Sequence, residues 1–168
     1  MIRIFGAALL VAGCGGFGFS LAAGRKKEAA MLRKIISALQ EMEWELKYRM
    51  TELPELCRMA GTATGGVIKQ CFWTLADRLE NREVTNISGT MNAILNNHTM
   101  PRSIRRNMKL LGETLGRYDL EGQLQGLETV RRQCRKDLNN LEEHAIQHLR
   151  DYQTLAICAG AALAILLF

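Results

Sequence analysis

The two ends of this chain carry no charge over stretches long enough to matter to a lipid bilayer, and this limits what the chain can fold into. Residues 4–24 and 155–168 hold no Asp, Glu, Lys or Arg, whereas all 17 acidic residues and all but Arg3 of the 22 basic ones lie between residues 25 and 151. At 1.5 Å rise per residue, the roughly 21 residues of the first stretch make a helix of about 30 Å, the thickness of a hydrocarbon core. Residues 152–168 reach the lower limit for such a span, with Tyr152 placed at the interface where aromatic rings are favoured. Residues 1–24 and 152–168 therefore read as two transmembrane helices in contact with membrane lipids, and residues 25–151 as a separate water-facing domain.

Basic residues near the spans set the expected orientation. Arg25, Lys26, Lys27, Arg33 and Lys34 follow the first span and Arg135, Lys136 and Arg150 precede the second, against Arg3 alone on the other side. By the positive-inside rule the central domain is cytosolic. An alternative comes from Val11-Ala12-Gly13-Cys14, which matches the lipobox at which bacterial lipoproteins are acylated on the cysteine; the domain would then be extracytoplasmic. The apolar run continues nine residues past Cys14, which favours the span. Small residues recur at every fourth position in both spans, at Ala8, Ala12, Gly16 and Ser20 and at Ala156, Gly160 and Ala164. This spacing puts them on one helix face, where backbones can approach closely and membrane helices or protomers can associate.

Periodicity predicts that the central domain is all-helical. Leu32, Ile35, Ile36, Leu39, Met42, Leu46 and Met50 recur at three- and four-residue steps, giving a long amphipathic helix over residues 29–51. Pro54 ends it and, with Glu55, starts a short second helix, since Pro is tolerated in a first turn and acidic groups suit the positive end of the helix dipole. Beyond Gly61, Gly65 and Gly66, a third helix buries Val67, Ile68, Cys71, Phe72, Leu75 and Leu79. Shorter helices follow over residues 87–95 and 102–115, the latter capped by Thr99 or Ser103. Leu120, Leu124, Leu127, Cys134, Leu138 and Leu141 mark the longest helix, which no breaker separates from the second span. The expected fold is an antiparallel bundle of about six helices, its two long members leading to the bilayer.

Little in the sequence points to chemistry. No phosphate loop, GxSxG or CxxC motif occurs, and no cofactor or metal is expected. His144 and His148 lie one turn apart beside Glu142 and Glu143, but the HExxH order and a third ligand are missing, so a solvated face is expected. The five cysteines fit small hydrophobes in a reducing compartment. Mixed charge with few aromatic residues argues against nucleic acid. Arg102, Arg105, Arg106 and Lys109 share a helix face that is either an ordinary wet surface or a dock for an acidic partner or lipid headgroups.

Two segments carry a family resemblance. Thr51-Glu52-Leu53-Pro54-Glu55-Leu56, and the stretch from Leu110 through Gly112, Glu113 and Gly116 to Asp119 leading into Gln123, resemble the stage III sporulation protein AB family over nearly the whole chain. The resemblance implies a component of the channel between mother cell and forespore in endospore formation, sited in the mother-cell membrane with other sporulation channel proteins. It also implies a cytosolic domain similar to the helical domain of type II secretion inner-membrane platform proteins, beside a cytosolic secretion-type ATPase, stage III sporulation protein AA. Leu53, Pro54 and Glu55 would be a structural signature at the first interhelix turn, and Gly112 and Gly116 points of close backbone approach. The secretion platform has two copies of the bundle where this chain has one, which suggests a homo-oligomer. The expected role is a non-enzymatic scaffold.

Overall fold

The computed structural model describes the backbone of residues 2–116 and 119–167 and the side chains of residues 24–116 and 119–143. Six helices and no strand are found among the described residues: α1 (Ile2–Arg49), α2 (Leu53–Thr64), α3 (Gly66–Glu80), α4 (Ile87–Asn96), α5 (Arg102–Thr114) and α6 (Leu120–Leu167). The chain divides into two units, Lys27–Leu138 and Met1–Lys26 with Asn139–Phe168. Among the described residues no helix is long and apolar enough to cross a membrane. The expected spans, with Ala8, Ala12, Gly16, Ser20, Ala156, Gly160 and Ala164, have their side chains outside the described residues, as do His144 and His148.

The core belongs to the Lys27–Leu138 unit. On α1, Leu32, Ile35, Leu39 and Met42 are almost wholly buried, as the three- and four-residue spacing requires. Ile36 is only half-buried, and Met50 lies beyond the end of the helix in the left-handed region, at φ 51°, with its side chain 73% exposed. It therefore falls outside the apolar stripe to which spacing alone assigns it. On α6 the buried positions are Leu127, Val130 and Cys134, while Leu120 is exposed and Leu124, Leu138 and Leu141 are half-buried. Leu56, Cys57 and Ala60 of α2, Ile68, Cys71, Phe72 and Leu75 of α3, Met91 and Leu95 of α4, and Ile104, Met108 and Leu111 of α5 are buried with them. Burial pushes the Cys57 and Cys134 thiols up to about 12 and the Cys71 thiol to about 11, which keeps all three protonated and unreactive at neutral pH.

Polar contacts fix how the helices run. Arg131 Nε of α6 donates to Glu43 Oε1 of α1 at 2.8 Å, both side chains mostly buried. One groove is lined by Ser37 through Tyr48 of α1 and by Leu124 through Arg131 of α6. At the other end of the unit Ser103 of α5 donates to Glu28 of α1, and Arg106 of α5 pairs with Asp137 of α6. These contacts make α1 and α6 antiparallel, and the chain enters and leaves the unit at one end. The short helices pair in the same sense. Arg58 of α2 reaches Asp77 and Glu80 at the far end of α3, and the guanidinium holds the Glu80 carboxyl below the usual carboxylate range. Arg105 of α5 reaches back to the C-terminal end of α4.

The helix starts differ in how they are closed. Asn86 caps α4, its Oδ1 accepting from the Ser88 and Gly89 amides. Pro54 stands in the first turn of α2 with Glu55 beside it. Neither Thr99 nor Ser103 caps α5: Pro101 occupies that position, and Ser103 lies inside the first turn, where its hydroxyl donates to Glu28.

Gly112 and Gly116 both meet neighbours too closely for a side chain. A Cβ on Gly112 would lie 2.7 Å from Met91 Cβ, so the Met91 side chain of α4 packs directly on the α5 backbone there. Gly116 has φ +69° and faces Ile87, with Leu53 at 3.5 Å from where its Cβ would stand. The two segments that carry the family resemblance thus meet in space. Gly112→Ala gains up to about 1 kcal/mol of helix propensity but overpacks Met91 at a cost of about 1–3 kcal/mol. Urea denaturation should show net destabilisation for Gly112→Ala and none for Gly89→Ala, where the nearest atom would be 3.6 Å away.

Candidate interaction surface

Among the described residues no group of three His, Cys, Asp or Glu is placed to hold a metal ion. The side chains that could do something are on the surface, and they form two distinct regions of the Lys27–Leu138 unit.

The first is α5. The four cations that share a face by spacing are put to different uses. Arg106 Nη2 donates to both oxygens of Asp137 at 2.7 and 2.9 Å, and Asn107 Nδ2 and Gln133 Nε2 donate to the same carboxylate at 2.9 and 3.1 Å. The Asp137 side chain is only 8% exposed, and a buried carboxylate without such partners would be strongly unfavourable. Arg105 turns the other way, donating to the His98 carbonyl at 2.8 Å and the Asn96 side chain at 3.4 Å, so it ties down the carbonyl end of α4. Arg102 and Lys109 are exposed. Two of the four cations are therefore clamps within the bundle, although Arg106 still leaves 62% of its side chain in water.

The second region was not marked by the apolar periodicity. Trp44 and Tyr48 project from α1 opposite its buried stripe, 51% and 64% exposed, with ring centroids 5.4 Å apart. Arg49 and Lys47 lie over their rings at 5.5 and 5.3 Å. Both rings line the groove between α1 and α6. The signal that could have found them is two aromatic residues four apart, out of phase with Leu39, Met42 and Leu46.

The sequence profile of the stage III sporulation protein AB family matches residues 3–168. The chain belongs to that family. Among solved structures, one of a stage III sporulation protein AB is similar, with a TM-score of 0.61 over 72% of this chain and 98% of that one, at 18% identity; at that identity it speaks to the fold. No curated protein matches. The family is one of sporulation proteins. Of the three residues expected to form a structural signature, Leu53 lies against Gly116, Pro54 stands in the first turn of α2, and Glu55 lines a shallow cleft with Glu41 and Arg58.

The clamp on Asp137 has a consequence that separates it from the exposed cations. Arg106→Ala should lower unfolding free energy by about 1–3 kcal/mol, the range for losing a charge-assisted hydrogen bond to a buried group, whereas Arg102→Ala and Lys109→Ala should stay within about 0.5 kcal/mol. Urea denaturation of the three variants checks this, and equal effects would remove the distinction.

Proposed function

We propose that this chain is a non-enzymatic platform of the channel between mother cell and forespore, held in the mother-cell membrane by two spans with the helical domain in the cytosol. The observation that carries the reading is the shared end at which the chain enters and leaves the Lys27–Leu138 unit, tied by Ser103 to Glu28 and by Arg106 to Asp137. A domain whose two ends emerge side by side can be tethered twice to one membrane, which restrains tilt in a way a single tether does not. Membership of a sporulation family and the basic residues next to both uncharged ends support the same placement.

The scaffold role follows from what the surface offers. It has exposed aromatic residues and exposed cations available for binding. The buried thiols are held protonated, which removes them as nucleophiles. The resemblance to secretion platforms points to a cytosolic ATPase as the working partner, stage III sporulation protein AA, with homo-oligomerisation through the small-residue faces of the spans.

In sporulating cells stripped of their walls, protease added outside should leave the central domain intact and digest it only after lysis. The full-length chain in detergent should retain stage III sporulation protein AA on a column. Digestion in unlysed cells would instead favour the form acylated on Cys14, and absence of retention would remove the ATPase partnership.

A further inference from the structure

Three side chains on one turn of α5 hold both long helices where they leave the Lys27–Leu138 unit. Ser103 donates to Glu28 of α1, the second residue of the unit, and Arg106 and Asn107 donate to Asp137 of α6, the last but one. Steps of three and four residues put all three on one face of α5.

This end of the long helices is held by polar contacts and little else. On the exit side of Leu32 in α1 and of Cys134 in α6, Ala29 is the one buried apolar residue among those described, while Leu138 and Leu141 are half-buried. The polar contacts are themselves incomplete. Asn107 is 1% exposed and spends its Nδ2 on Asp137, but its Oδ1 accepts no hydrogen bond, alone among the buried side-chain nitrogens and oxygens of the described residues. An unpaired buried acceptor is costly, and opening hands it to water. No side chain caps the start of α5, where Pro101 stands, so nothing there adds to the hold on its first turn.

A single helical turn moves as one body. Displacing it by about 1 Å lengthens its bonds to both Glu28 and Asp137 beyond the range at which hydrogen bonds hold. The other end of α5 stays seated, with Gly112 under Met91 of α4 and Thr114 against Gly126 of α6. We propose that α5 is a catch, whose bonds to Glu28 and to Asp137 open and close as one event and release the exit ends of α1 and α6 together while the rest of the bundle stays folded. Local opening of this kind belongs to segments with few buried apolar contacts. Its use, to let two membrane tethers shift against each other, rests on the platform reading; the catch itself does not.

The test is thiol labelling of the full-length chain in detergent, mapped by mass spectrometry, with Cys14→Ala and Cys158→Ala removing the thiols of the uncharged ends. Cys134, fully buried one turn before Asp137, reports on α6, the thiol of Ala29→Cys reports on α1, and Cys57, buried in α2, reports on the core. When reclosing outruns reaction, the labelling rate follows the open fraction. Ser103→Ala removes a bond to α1 alone, and Arg106→Ala a bond to α6 alone. Each should nonetheless speed labelling at both reporters by about five-fold or more, the effect of one lost hydrogen bond, with Cys57 unchanged. The double variant should show the product of the two effects at both positions, since both bonds break in one opening. Acceleration confined to the helix that each variant touches would overturn the proposal. So would Cys57 accelerating in step, which marks unfolding of the whole unit. The readout needs no bilayer, so either contrary result leaves the platform reading as it stood.

Discussion

The antiparallel packing of α1 on α6, with Glu43 and Arg131 bonded at 2.8 Å between them, is the constraint on which the rest of the bundle depends. Each helix is amphipathic and cannot bury its stripe alone, so Leu32, Ile35, Leu39 and Met42 on one and Leu127, Val130 and Cys134 on the other need the four short helices to close over them. Fully burying residues of this kind contributes roughly 1.5–3 kcal/mol each before conformational entropy is set against it. The single ion pair contributes far less and has a different effect: it favours one pairing of the long helices over shifted alternatives. Once that pairing is set, the chain must enter and leave at one end and the groove must open at the other.

Surface chemistry divides along the same axis. The end near Glu28 and Asp137 holds the clamps, Ser103 on Glu28 and Arg106 on Asp137. The opposite end carries exposed aromatic rings among carboxylates, and suits recognition. About 24 Å of continuous α1 separates Glu28 from Trp44.

Much of the fold was legible because helical periodicity is strong. Leu32, Leu39, Phe72 and Leu75 recur at helical spacing and are buried, and Pro54 and Pro101 mark helix starts because proline is tolerated there and not in a helix interior. The surface was less legible. Spacing places Arg102, Arg105, Arg106 and Lys109 on one face, but only the fold brings Asp137 and the His98 carbonyl to two of them. Ser103 is a plausible cap by residue type, but α5 already begins at Arg102, so Ser103 lies within the first turn and its hydroxyl donates to Glu28. Trp44 and Tyr48 went unmarked since the pattern search rewards apolar residues in phase with the core, and theirs is the opposite phase.

The direction of α1 against α6 is the claim to test most directly. With Cys14 and Cys158 replaced by alanine and the three core thiols buried beyond reach of reagent, spin labels can be placed in pairs on exposed Ser37, Lys47, Gln125 and Lys136 of the full-length chain. Pulsed electron resonance should find the pairs 37–136 and 47–125 closer than 37–125 and 47–136, since ten residues of helix add about 15 Å along the axis. The reverse ordering would mean the long helices run parallel, and neither the shared end nor the groove could then exist as described.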